Sequence, residues 1–309
     1  MGVAAGSVLA ESLKDWKPGT AEMTRRVDPW PAEAFAGLIG APPPPLGEGD
    51  PLPPMWHWFT LLEHPAQAEL GADGHPAHGP FLPPIPGRRR MWAGGRLRLA
   101  APIPVGAQLS ASSSVAAVSV KSGRRGELAF VTVRHELSVD GAPAGVEEQD
   151  IVYRSEPDQT APRRKTPEPP GPHETQGPPE TPKTPGTPAA PAPPGAWRAE
   201  LTTDPVLLFR FSALTYNGHR IHYDRPYATQ VEGYPDLVVH GPLLALLALE
   251  LPRLHAPGGA VRSFGYRLVR PAFVPATMVS EARPEGATIE LTVAANGAPP
   301  SLTATATLD

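Results

Sequence analysis

Two short stretches of this chain gather side chains that can move protons. The first, Phe211-Ser-Ala-Leu-Thr-Tyr-Asn-Gly-His-Arg-Ile-His-Tyr-Asp224, holds Asn217, His219, Arg220, His222 and Asp224 just after an apolar segment, Val206 to Phe211, that reads as a strand. The second, Val238-Val239-His240-Gly241-Pro242, opens an apolar helical stretch from Leu243 to Leu251. An imidazole, whose ordinary pKa lies near neutrality, can take a proton from water at working pH. Backbone N–H groups at a helix start can receive a developing negative charge. Together they could hold and deprotonate a water while a developing negative charge is received nearby. A lone histidine is more commonly a hydrogen-bonded core residue, and an asparagine in a loop commonly bonds its own backbone, so it is the combination that carries the reading.

Other chemistry fits less well. His219-x-x-His222 with Asp224 has the composition of a two-histidine, one-carboxylate metal site, but His-x-x-His is common by chance and no metal is expected. The chain has no Gly-x-x-x-x-Gly-Lys phosphate loop, no Gly-x-Ser-x-Gly elbow and no Gly-x-Gly-x-x-Gly turn. With zero cysteines it can hold neither disulfides, thiolate metal sites nor a thiol nucleophile, which fits a cytoplasmic protein.

The two stretches resemble the active-site signature of the MaoC-like, R-specific enoyl-thioester hydratases and dehydratases, a hot-dog-fold family. Its pattern runs Gly-Asp-x-Asn-Pro-[Leu/Ile]-His and then a Val-His-Gly segment opening the central helix. On this sequence the family histidine falls on His222 and the oxyanion glycine on Gly241. The family aspartate falls on Asn217, its asparagine on His219, and its helper serine on Leu249. The resemblance therefore implies His222 as acid/base, Asn217 as a water positioner that cannot itself take a proton, and the Gly241 N–H as oxyanion donor. His240 is read as structural.

The variant motif is similar to the branch containing hydroxyacyl-thioester dehydratase type 2 and the mesaconyl-CoA hydratases. Further segments match that branch in order: Trp56-His57-Trp58, Asp73-Gly74-His75-Pro76, Phe81-Leu82-Pro83-Pro84, Arg89-Arg90-Met91-Trp92-Ala93-Gly94-Gly95, Phe130 to His135 and Glu147 to Asp150. The resemblance implies a cofactor-independent hydro-lyase acting on a CoA thioester, with mesaconyl-CoA or another branched dicarboxylic enoyl-CoA as substrate. A fatty-acid-type 3-hydroxyacyl-thioester dehydratase, a noncatalytic hot-dog partner subunit and a thioesterase are the alternatives. A terminal carboxylate needs a cationic partner, because an unpaired buried charge is very costly. Arg89 and Arg90, beside Trp92, are the first candidates, with Arg220, Arg225 and His219 next.

These residues must be positioned by elements readable from pattern. The strand-like segments Arg96 to Ala100, Gln108 to Val120, Leu128 to Val139 and Val146 to Tyr153 follow a helix at Ala32 to Ile39. After the Leu243 to Leu251 helix come Val261 to Val269, Thr277 to Ala282, Thr288 to Ala294 and Ser301 to Leu308, the last three alternating apolar and small polar residues. Periodicity gives α+β in two units; the resemblance makes them a double hot-dog, two antiparallel sheets each around a central helix, packed as a pseudo-dimer. The expected units are 1–155 and 197–309, with a flexible linker at 156–196. From Pro157 to Pro194 the chain is mostly Pro, Thr, Glu, Gly, Ala and Lys, too poor in apolar residues to offset its ordering entropy. Extended, that stretch reaches on the order of 100 Å. The first unit lacks the catalytic motif and is expected to shape the acyl pocket.

Net charge is −4 and the longest like-charge block is Arg88-Arg89-Arg90, so nonspecific nucleic-acid binding is not expected. No apolar run approaches the roughly 20 residues of a membrane-spanning helix. The first residues lack the basic start of a signal peptide, and Gly6 does not suit myristoylation of Gly2. A homo-oligomer of double hot-dog protomers is compatible with all of this.

Overall fold

The computed structural model describes residues 8–85, 89–123, 126–154 and 195–309; the proline-rich stretch and Arg88 lie outside them. Ten antiparallel strands form one sheet. The first five are β1 (Thr20–Arg26), β2 (Arg89–Leu99), β3 (Gln108–Gly123), β4 (Gly126–Val139) and β5 (Ala142–Arg154). The second five are β6 (Trp197–Thr203), β7 (Val261–Leu268), β8 (Ala276–Glu285), β9 (Thr288–Ala295) and β10 (Leu302–Leu308). Their spatial order is β1-β3-β4-β5-β2-β7-β10-β9-β8-β6. Each half thus runs first, third, fourth, fifth, second in its own chain order. The halves meet through their second strands, β2 against β7, with Gly94 opposite Arg267 and Arg98 opposite Ser263. The sheet is continuous across a pseudo-two-fold.

Four α-helices accompany it: α1 (Val8–Leu13), α2 (Pro29–Ile39), α3 (Pro205–Leu214) and α4 (Gly241–His255). α4 is the central helix of the second half. Leu243 through Pro252 are all buried. Along β9 the inward positions are Ile289, Leu291 and Val293, and along β10 Leu302, Ala304 and Ala306, all in one core with α4. Each large aliphatic side chain buried this way contributes roughly 1.5–3 kcal/mol, which fixes the helix against the sheet. In the first half, Ala32, Phe35, Ala36 and Leu38 of α2 join the same core, with Leu97, Leu109 and Leu137 from the strands. Phe35, Trp56, Phe59 and Phe211 form an aromatic cluster where α2 meets α3, so both halves share one interior.

One element differs from its sequence reading. Val206 to Phe211 belongs to a helix, α3, not a strand. Asp204 caps it, accepting the Leu207 N–H at 2.7 Å, and Pro205 occupies the first turn where no N–H is needed. Leu207, Leu208 and Phe211 are buried at helical spacing while Val206 and Phe209 are exposed. Edge strands β1 and β6, and α1, were not anticipated. β1 is largely exposed and polar, and β6 has a single buried residue, Thr203, so neither carries a strong apolar alternation.

Candidate active site

The loop after α3 and the start of α4 are locked together. Val238 N–H donates to the Ile221 carbonyl at 3.0 Å, and Val238 C=O lies 2.7 Å from His222 Nδ1. A carbonyl can only accept, so His222 Nδ1 carries the proton and the neutral ring keeps its lone pair on Nε2. Val239 N–H donates to Ala272 C=O at 2.8 Å, holding the same segment to the far side. Two residues later α4 begins at Gly241. The spacing between base and helix start is therefore set by hydrogen bonds on both flanks.

α4 starts without a side-chain cap. α2 and α3 are capped by Asp28 and Asp204, but His240 at the α4 N-cap makes no capping bond. Its Nε2 instead lies 2.8 Å from Ser212 Oγ, and its ring stacks on His222 with centroids 3.7 Å apart. The early N–H groups of α4 have no partner within the helix, and the helix dipole adds partial positive charge there. Gly241 sits in close approach to Leu268: a Cβ there would lie 2.3 Å from Leu268 Cδ1, at the tip of a side chain that would have to move.

His222 is buried, and that burial lowers its pKa to about 4; the Val238 carbonyl opposes the shift and nearby His75 adds to it. His219 is driven further down, first by burial and then by His75, His222 and Arg90 around it. Burial also pushes His240 well below the ordinary value. All three rings are therefore neutral at working pH. Asn217 is half-buried; its N–H donates to Ser212 C=O at 2.8 Å, and its side-chain oxygen accepts the His219 N–H at 3.0 Å. It does what a loop asparagine commonly does, bonding backbone two residues on, and it also faces the cavity containing His222 and Gly241.

A turn from the first half is docked onto this loop. Asp73 C=O accepts the Arg220 N–H at 2.9 Å, and Ala72 C=O accepts from Arg220 Nη1 at 2.8 Å. Gly74, at φ +86°, sits so close that a Cβ would lie 1.9 Å from Gly218 O. The turn delivers His75, whose ring lies 4.0 Å from that of His219, centroid to centroid, with Asp73 Oδ2 3.1 Å from His75 Nδ1. Burial raises the Asp73 pKa, but the His75 hydrogen bonds and charge outweigh it and hold the carboxyl below its ordinary value.

Among the described residues, Asp73, His75 and His219 also bring metal-ligand atoms within 4.8 Å of one another. The trio suggested by spacing, His219, His222 and Asp224, is not assembled. His222 Nδ1 is committed to Val238, and Asp224 is committed to Arg220 at 2.7 Å and the Tyr227 N–H at 3.1 Å.

The candidate arginines separate. Arg220 is held by Asp224 and lies over the Tyr227 ring at 4.0 Å, Arg225 pairs with Asp236 at 2.8 Å, and Arg89 pairs with Glu232 at 3.2 Å. Arg90, half-buried and facing the cavity, has no ion pair among the described residues. The Trp92 indole N–H donates to Tyr266 OH at 2.8 Å across the seam, and its ring meets Trp58 edge-on at 5.6 Å.

The cavity, about 1930 Å³, extends from His222, Gly241 and His219 past His75 and Arg90 into the first half. There it meets Glu147, a buried carboxylate that takes Trp58 Nε1 and Gln149 Nε2 at 2.7 Å each and lies 2.6 Å from His57 Nε2. Burial pushes Glu147 up, yet its donors, His57 first, hold it at about 2. Neither this cluster nor the Asp73–His75 pair was singled out from spacing. The Glu147 cluster joins residues about 90 positions apart, and the Asp73–His75 pair, though local, gains its setting only by docking on the second half; their only sequence signal was membership in the family-matching segments.

The architecture defines a class, the double hot-dog proteins. A MaoC-like dehydratase from Phytophthora capsici superposes with a TM-score of 0.63 at 16% identity, covering 94% of this chain and 96% of that one. A Mycobacterium tuberculosis protein described as having a double hot-dog fold superposes at 0.50 with 16% identity, covering 96% of this chain and 98% of that one. At the level of sequence, the family profile described as hydroxyacyl-thioester dehydratase type 2 matches residues 55–274. The mesaconyl-C(4)-CoA hydratase of Chloroflexus aurantiacus is 43% identical over 263 residues, covering 84% of this chain and 85% of that protein. This chain belongs to the hydroxyacyl-thioester dehydratase type 2 family, and it is a carbon–oxygen lyase of the hydratase/dehydratase type.

Proposed function

We propose that this chain adds water to, or removes it from, a branched dicarboxylic enoyl-CoA, mesaconyl-CoA or a close analogue, with no cofactor. The observation that carries the reading is the His222–Val238 hydrogen bond, which leaves a basic Nε2 on a ring fixed to the segment that opens α4. In the hydration direction a water attacks the β-carbon while His222 Nε2 takes its proton. The thioester oxygen gains negative charge, received by the Gly241 N–H at the positive end of α4; such a donor is typically worth about a hundredfold or more in rate. Asn217 positions the water through its amide.

Arg90 is the partner proposed for the far carboxylate, since Arg89, Arg220 and Arg225 already hold carboxylates of the protein. Its guanidinium can grip a carboxylate with two parallel hydrogen bonds. In this reading units 1–155 and 197–309, tied by the 156–196 linker, work as one cytoplasmic protomer, with the first unit enclosing the acyl group. Among the described residues no helix is long and apolar enough to cross a membrane.

The test is a substrate panel of crotonyl-CoA, a longer monocarboxylic enoyl-CoA, itaconyl-CoA and mesaconyl-CoA, run on wild type and Arg90→Ala. Mesaconyl-CoA should be preferred by wild type, and Arg90→Ala should lose about tenfold or more on it, roughly 1.4 kcal/mol, while crotonyl-CoA turnover changes little. A wild-type preference for a monocarboxylic substrate would move the assignment to a fatty-acid-type dehydratase.

A further inference from the structure

Hydration needs a second proton movement, and apart from His222 itself the Asn217 loop has no group placed to supply it. The enolate formed by attack on the β-carbon must take a proton at the α-carbon. Asn217 has none to exchange and its oxygen is engaged by the His219 N–H. Asp224 is held by Arg220 and the Tyr227 N–H. His219 is kept neutral by burial and the charges around it. Another ionisable pair reaches this part of the cavity from the other half of the chain.

We propose that His75, held by Asp73, is a second catalytic acid/base, taking the place of the carboxylate that Asn217 lacks. The inference rests on the hydratase reading above. Three observations support it. His75 faces the same cavity as His222 and Gly241. Its Nδ1 lies 3.1 Å from Asp73 Oδ2, and its N–H donates to Asp73 Oδ1 at 3.0 Å, so the carboxylate fixes the ring. The turn that carries it is fastened to the catalytic loop by the Asp73–Arg220 and Ala72–Arg220 bonds. The approach of Gly74 to Gly218 there leaves no room for a side chain.

The step balances without a further reactant. The water O–H bond breaks and its proton goes to His222 Nε2 as the C–O bond forms at the β-carbon. The π electrons move onto the thioester carbonyl. When the enolate collapses, the α-carbon takes the proton from the His75 imidazolium, and the proton on His222 then passes to His75. His219, 4.0 Å from His75 and 5.3 Å from His222 between ring centroids, stands between them. Among the described residues, Asp73, His219 and His222 are titratable groups that interact with His75, and Arg90 acts on the neighbouring His219.

The experiment uses the full chain with mesaconyl-CoA and crotonyl-CoA. His75→Gln should lower kcat by about a hundredfold, with KM within threefold and the melting temperature unchanged. His75→Ala should be rescued at least tenfold by added imidazole, in proportion to its concentration. Asp73→Asn should fall by a smaller factor and gain nothing from imidazole. A His75→Gln enzyme within threefold of wild type, beside an inactive His222→Ala, overturns this inference and leaves the hydratase reading standing. Failure of imidazole to rescue His75→Ala also overturns it, as does loss of wild-type activity to a chelator with recovery on adding Zn²⁺. Absence of wild-type turnover on every enoyl thioester removes the underlying reading, and this inference with it.

Discussion

Gly241 offers a direct way to perturb the proposed oxyanion donor without touching a side chain proposed as catalytic. A Cβ at this position would lie 2.3 Å from Leu268 Cδ1 and 3.6 Å from Leu268 Cγ. Carbon atoms in contact sit at about 3.5–4.0 Å, so Gly241→Ala forces a displacement of more than about 1 Å, shared between the Leu268 tip and the start of α4. Overpacking of this kind costs about 1–3 kcal/mol. The catalytic cost should be larger in proportion, because a donor displaced by about 1 Å can lose about a hundredfold in rate. Gly241→Ala should therefore lower kcat on an enoyl-CoA by about a hundredfold, with a modest fall in melting temperature. Leu268→Val removes the clashing Cδ1, so the double variant should return to within about tenfold of Leu268→Val alone. Enoyl-thioester absorbance and thermal melts on the four proteins complete the cycle. Full activity in Gly241→Ala would refute the reasoning. A double variant as slow as Gly241→Ala, with Leu268→Val active, would refute the steric part of it.

Two further predictions concern charge. His222 must be neutral to act as a base, and burial holds its pKa at about 4, so kcat/KM should stay flat as pH falls through 6.5 and drop only near 4. The same depression makes stability pH-dependent. The unfolded chain binds a proton below about 6.5 that the folded chain refuses until about 4, so stability falls with pH across that window, by about 1.4 kcal/mol per pH unit from His222 alone. Urea melts at pH 7 and pH 5 measure it, and equal stability at both would contradict the buried neutral ring. Asn217→Asp should retain or exceed wild-type turnover and move the acid limb of the rate profile upward, since a nearby carboxylate favours the imidazolium; a collapse in rate would contradict this and mean that the neutrality of Asn217 matters.

What could be read beforehand divides by range. β8, β9 and β10 announce themselves by alternation, β3, β4 and β5 as strand-like segments, and α4 by its apolar content behind Gly241-Pro242. α3 was misread because Val206, Leu207, Leu208 and Phe209 form an apolar run whose inward and outward members only a helix separates. The Asp204-Pro205 start signal was nevertheless present. His222 and Gly241 were legible because both fall on a sequence signature whose two segments the fold then joins by hydrogen bonds at the start of α4. The choice of Arg90 over Arg89 was not, because it depends on Glu232 lying across the fold against Arg89. Nor could spacing place Asp73-Gly74-His75 against Gly218-His219-Arg220, two turns separated by more than half of the described sheet and by the proline-rich stretch. Tertiary docking creates that contact, and no periodicity encodes it.

The central claim, that His222 activates water for addition to an enoyl thioester, is tested most directly by following crotonyl-CoA and mesaconyl-CoA with wild type and His222→Ala, monitoring enoyl-thioester absorbance and free thiol together. The account predicts loss of absorbance without thiol release in wild type, and a rate at least about a hundredfold lower in His222→Ala, a variant that still folds but melts lower for loss of the buried ring and its bond to Val238. Thiol release at the rate of absorbance loss, or a His222→Ala enzyme that keeps near-normal turnover, would contradict it.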